Sequence, residues 1–98
     1  MSKELQSRLI RFVGLCITLK RHSCHTYEGD HLCKQLIRSS TSAALNFGEA
    51  RSAESKKDFA HKQNISLKEL RESYINLLIM DENQLCKNPE LLAIAVRD

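Results

Sequence analysis

Ser39, Ser40, Thr41, Ser42, Ala43 and Ala44 stand consecutively in a stretch whose apolar residues otherwise recur at three- and four-residue steps. A helix carrying so many small side chains in a row offers its neighbours little to push against, so its backbone and theirs can approach closely. Asn46 and Glu49 follow directly. An amide and a carboxylate on or beside such a face must find partners, because a buried polar group left unpaired costs roughly 1–3 kcal/mol. Arg38, or a residue of a neighbouring helix, is the expected donor. This run demands tight helix pairing with polar groups at the contact, and few folds other than a helical bundle supply it.

Length and composition agree. A chain of 98 residues makes one domain spanning 1–98, of a size that buries roughly 60–65% of its unfolded surface. An apolar fraction of 42%, five aromatics, three glycines and one proline suit an all-α protein better than a β-rich one, which needs more turn residues. No apolar run nears the ~18 residues of a membrane span, and the opening residues lack the apolar segment of a secretion signal. The expectation is a cytoplasmic protein without a membrane partner, in which Cys16, Cys24, Cys33 and Cys86 are reduced thiols. A net charge of +3 is mildly basic, so polyanion binding would need oligomerisation to multiply it.

Periodicity divides the chain into helices. From Lys3 to about Arg21, Leu5, Leu9, Phe12, Val13, Cys16, Ile17 and Leu19 share one face. Ser23 to Asp30, with Gly29, reads as a loop. A second helix is expected from an Asp30 cap, with Leu32, Leu36, Ser40, Ala43 and Phe47 on its stripe. Ser55 followed by Asp58 resembles a capping box and opens a third helix running to about Glu82. That helix shows two apolar stripes, one of Phe59, Leu67, Leu70, Tyr74, Leu77 and Leu78 with Gln63 and Ser66 among them, the other of Ile65, Ile75 and Ile79. Two stripes imply two partners, and the surplus points to self-association. Asn88-Pro89-Glu90 reads as the start of a fourth helix, expected to be short or truncated.

Three groups of residues are candidates for chemistry. His22, Cys24, His31 and Cys33, with His25 nearby, bring imidazole and thiolate within twelve residues, the ligand types of tetrahedral zinc. Their spacing matches neither a Cys-x-x-Cys knuckle nor a helical His-x-x-x-His pair, so no metal or other cofactor is expected. Glu49, Asp58, Glu69 and Glu72 are carboxylates without an accompanying nucleophile motif or phosphate loop. Asp58 and Lys62, and Lys68 and Glu72, stand four residues apart and read as helix-surface pairs, so no catalytic residue is expected and the protein reads as a non-enzyme. Lys57, His61, Lys68 and Arg71, with Asn64 between them and Lys56 adjacent, line one side of the third helix. Such a row can contact phosphates or serve as a solvated face; Arg8 and Arg11 of the first helix could extend it.

Across Leu32 to Leu78, Gln35, Arg38, Ser39, Thr41, Ser42, Asn46, Glu49, Ala50, Ser55, Asp58, Phe59, Lys62, Ile65, Lys68, Glu69, Glu72 and Tyr74 together form a pattern. It resembles the four-helix bundle family encoded by intervening sequences of bacterial 23S ribosomal RNA genes, whose relatives include the accessory variability protein of diversity-generating retroelements. The resemblance implies an antiparallel up-and-down four-helix bundle assembled as a homopentamer with a basic surface. It also implies a scaffold role toward RNA or DNA and toward a protein partner. Ser40 stands where the family often has glycine, and Ile75-Asn76 where a tryptophan and an apolar residue are common. The resulting expectation is a non-enzymatic homo-oligomeric scaffold that binds nucleic acid through Lys56, Lys57, His61, Lys68, Arg71, Arg8 and Arg11. Arg38, Ser42, Asn46, Glu49, Ile65, Ile75 and Ile79 would form its polar network and oligomer interface. The alternatives are an adaptor for proteins alone and, less favoured, a small metal-binding protein.

Overall fold

Three helices account for nearly all of the described residues in a computed structural model that describes residues 3–23 and 25–85: α1 (Lys3–Ser23), α2 (Tyr27–Arg51) and α3 (Lys56–Glu82). No strand occurs among the described residues. The protein is all-α; the fourth helix expected from Asn88 falls outside the described residues. None of the described helices is long and apolar enough to cross a membrane.

Helix α2 begins three residues before the Asp30 cap expected from sequence. Thr26 caps it instead, its Oγ1 accepting from the Gly29 amide at 3.0 Å, while Glu28 and Asp30 place negative charge in the first turn, where the helix dipole favours it. Gly29 is therefore a buried helical residue rather than part of a loop. Asp30 serves another purpose, binding Lys20 of α1 at 2.7 Å and Lys34 at 3.1 Å. Both hydrogen bonds hold its carboxyl below the ordinary aspartate range. Ser55 caps α3 as its sequence implies, accepting from the Asp58 amide at 3.0 Å.

The far end of α3 closes with a Schellman motif. The Leu85 amide donates to Met80 O at 3.0 Å and the Gln84 amide to Asp81 O at 3.2 Å, which takes Gln84 into the left-handed region at φ 52°.

Cross-helix contacts set the topology. Between α2 and α3, Asn76 donates to Leu32 O, Arg38 meets Glu69 and Glu72, Ser39 meets Ser73, Ser66 donates to Ala43 O, and Lys62 meets Glu49. Residue numbers fall on one helix as they rise on the other, so the pair is antiparallel. Lys20 with Asp30 at one end, and Arg51 donating to Gln6 at the other, make α1 and α2 antiparallel too. Helix α2 lies between the other two, and Phe12, Cys16, Leu19, Cys33, Leu36, Leu77 and Met80 from all three form the main apolar cluster.

The α2 stripe is buried largely as periodicity predicts, including Leu36, Ser40, Ala43 and Phe47. The face of α3 that packs overlaps the expected stripe only in part: Ser66 and Leu77 are buried together with Glu69, Ser73 and Met80, while Leu67, Tyr74 and Leu78 are 46%, 50% and 37% exposed. Small hydroxyl side chains win the contact because they permit close approach and satisfy themselves there. Ser39 Oγ and Ser73 Oγ lie 2.6 Å apart. One donates to the other, and the second has a backbone carbonyl of its own helix within reach, Leu36 O at 3.2 Å or Glu69 O at 3.0 Å. Ser66 Oγ donates across to Ala43 O at 2.8 Å.

Cysteine chemistry departs from the expectation of reduced thiols. Cys33 is buried and disulfide-bonded, a pairing decided by proximity in the fold that residue spacing does not reveal. Cys16 keeps a free thiol, pushed up to about 11 by burial, which outweighs its hydrogen bond with Ser40; it is a packing residue, not a nucleophile.

Two stability changes of opposite sign follow. Ala43 is fully buried where Ser66 reaches its carbonyl, so Ala43→Leu should lower unfolding free energy by roughly 1–3 kcal/mol through overpacking; an unchanged urea midpoint would remove the close-approach explanation. Gln84→Gly should raise it by about 1 kcal/mol, since glycine adopts the left-handed conformation without steric cost.

Candidate functional site

At the middle of the α2–α3 contact a cation from one helix grips two acids of the other. Arg38 donates from Nη1 to Glu69 Oε2 and from Nη2 to Glu72 Oε2, both at 3.1 Å, and from Nε to Gln35 Oε1 at 3.3 Å. The Glu69 side chain is only 11% exposed, against 43% for Glu72 and 55% for Arg38. Farther along, Lys62 meets Glu49 at 2.7 Å, a bond that raises the affinity of Lys62 for its proton. Asn46 turns back on its own helix, donating to Ser42 O at 2.9 Å and Ser42 Oγ at 3.2 Å.

Arg38, Asn46 and Glu49 therefore do not share one network. Glu49 takes its donor from the neighbouring helix, and Arg38 clamps Glu69 together with Glu72, the latter expected from its spacing to pair with Lys68. The i,i+4 pairs Lys68–Glu72 and Asp58–Lys62 give way because Arg38 offers a guanidinium fork and Glu49 lies directly across from Lys62. The sequence signal for Glu69 was its place three and four residues from Ser66 and Ser73 on one helical face.

These pairings leave a distinct surface on α3. Lys56, Lys57, His61, Asn64, Lys68 and Arg71 are all exposed. Five of them, from Lys57 to Arg71, lie on the side of the helix roughly opposite Ser66, Ser73 and Leu77. Glu49 is bound to Lys62, and Glu69 and Glu72 share Arg38. Lys68 and Arg71 make no ion pair among the described residues, and with Glu72, Ile75, Asn76 and Ile79 they line a groove of about 520 Å³. Ile75 and Ile79 are 52% and 43% exposed, whereas Ile65 is half-buried. Arg8 and Arg11 are exposed on α1, and no hydrogen bond or ion pair among the described residues joins them to the row.

The His/Cys group does not converge. His22 is exposed at the end of α1, His31 is exposed on α2 with its ring stacked on Tyr27, centroids 6.5 Å apart, and Cys33 is consumed by its disulfide. Cys24 falls outside the described residues. No grouping of three His, Cys, Asp or Glu side chains among the described residues is arranged to hold a metal ion.

Fold and surface together define an antiparallel all-helical protein, keyed by a buried hydroxyl contact and an arginine clamp, with a cationic row on the outer face of its longest helix. The chain belongs to the 23S rRNA-intervening sequence protein family, whose model matches residues 4–95. No curated protein and no solved structure matches it.

The clamp is testable. Arg38→Ala leaves the nearly buried Glu69 carboxylate without its cation and should cost about 1–3 kcal/mol, whereas Glu72→Ala, at a more exposed site, should cost less than about 1 kcal/mol. Adding Glu69→Gln to Arg38→Ala should recover part of the loss in urea unfolding; equal costs for Arg38→Ala and Glu72→Ala would mean that the buried arm contributes nothing.

Proposed function

We propose that this protein is a non-enzymatic scaffold that binds nucleic acid through the α3 row of Lys57, His61, Lys68 and Arg71. The observation that carries the reading is that the row's cations form no ion pair among the described residues, because Glu69, Glu72 and Glu49 are drawn to Arg38 and Lys62 instead. Lysines and an arginine along one rigid helix can follow a phosphate backbone without reading its sequence. One copy with a net charge of +3 binds weakly, and repetition of the row by self-assembly, in the pentamer of four-helix bundles that the family resemblance implies, would raise both affinity and salt sensitivity. Lys56 extends the row at its N-terminal end; Arg8 and Arg11 add to it if assembly brings α1 of one copy beside α3 of another.

Charge reversal at Lys57, Lys68 and Arg71 tests this. The triple glutamate variant should retain helical circular dichroism and particle mass by light scattering, yet lose binding of a fluorescent structured RNA. The wild-type affinity should fall with added salt, each lost phosphate contact reducing the log–log slope by about 0.7–0.9. RNA retained by the triple variant with an unaltered slope would make the row a solubility surface.

A further inference from the structure

Lys57, His61, Asn64, Lys68, Arg71 and Ile75 follow one another along α3 at alternating steps of four and three, and all are exposed. That spacing keeps a straight seam toward a neighbouring helix. From Lys57 to Ile79 the seam runs about 33 Å, at 1.5 Å per residue. Its character changes along its length, basic from Lys57 to Arg71 and apolar at Ile75 and Ile79. The groove of about 520 Å³ spans the junction. Its acid, Glu72, is held by Arg38 at 3.1 Å, which leaves an apolar floor with a cationic rim.

Three kinds of occupant can be compared on charge. A second copy fits only in part: parallel α3 helices oppose cation to cation, and fully overlapped antiparallel ones lay Ile75 and Ile79 over His61 and Lys57. An antiparallel pair staggered to set Ile75 on Ile79 leaves the cations from Lys57 to Arg71 without an acidic partner from that seam. A nucleic acid matches the cations and leaves both isoleucines in water. An amphipathic helix with an apolar end and an acidic stretch matches the whole seam, the helix-in-groove mode of peptide recognition.

We propose that the α3 seam docks an acidic amphipathic helix of a protein partner, its apolar end over Ile75 and Ile79 and its carboxylates over Arg71, Lys68 and Lys57. The docking does not depend on polyanion binding. Because both ligands use the same cations, they compete.

The probe is a synthetic helical peptide of about 21 residues, six turns, with leucines on one face of its first two turns and glutamates on that face thereafter. A scrambled peptide of equal composition is the control. Fluorescence anisotropy against the full chain should show the designed peptide binding at least tenfold more tightly than the control. Ile75→Ser with Ile79→Ser should weaken it by about tenfold or more, as expected for losing the burial of two half-exposed isoleucines, while binding of the structured RNA and helical circular dichroism stay unchanged. Unlabelled RNA should displace the peptide. Equal binding of the two peptides, or indifference to the isoleucine change, overturns the docking while RNA binding is scored separately. A fall in particle mass in the isoleucine variant would assign the face to a second copy and overturn it as well.

Discussion

The pairing of Ser39 with Ser73 decides how near α2 and α3 come, and the rest of the structure depends on that separation. Two hydroxyl groups 2.6 Å apart leave no room for a large side chain between the backbones. With Ser66 reaching Ala43 O, the contact is held at two levels about two turns apart. Each bond contributes only about 1 kcal/mol net, but the geometry they impose places Leu77 and Met80 against Phe12, Cys16 and Leu36 in the common core. Apolar burial supplies the larger share of stability, and the hydroxyls fix the register in which it occurs.

The arginine clamp follows from the same register. Once Ser39 faces Ser73, Arg38 one residue earlier stands beside the turn that carries Glu69 and Glu72, and its two terminal nitrogens span both carboxylates. A partly buried Glu69 is tolerable only because this cation arrives with it. Internal pairing thus shapes the outer surface: Glu69 and Glu72 turn to Arg38 and Glu49 to Lys62, and Lys68 and Arg71 form no ion pair among the described residues. The surface that could recognise a partner is a by-product of how the helices are locked.

Much of this was legible in the sequence, and the misses share a cause. The small-residue run announced a close helix contact, Ser55 and Asp58 announced the start of α3, and the exposed row from Lys57 to Arg71 lies where its spacing put it. On α3 hydropathy locates Leu70 and Leu77 correctly, but Glu69 and Ser73 pack where no apolar stripe points, while Leu67 and Tyr74 are half exposed. Hydropathy cannot report that a serine is buried when its hydroxyl is satisfied by a partner 34 residues away. The true partners of Glu49, Lys62 and Glu72 are likewise contacts between α2 and α3 with no local signature. Thr26 was overlooked as a cap because Asp30, a stronger local candidate, was drawn away by Lys20 and Lys34.

A helix that packs through two serines and a glutamate as well as Leu77 and Met80 leaves other apolar residues for its surface. The buried side of α3 spends few of its apolar residues on the core, so Ile75 and Ile79 remain on the outside, adjoining cations that the clamp has left unmatched. A seam that is cationic at one end and apolar at the other would favour, among ligands, those that make both kinds of contact at once. Polyanions gain only from the first half and a purely apolar helix only from the second. Selectivity of this kind needs no cleft and no catalytic group; it requires a long straight helix whose own neighbours make no demand on its outer face, which the close α2–α3 contact provides.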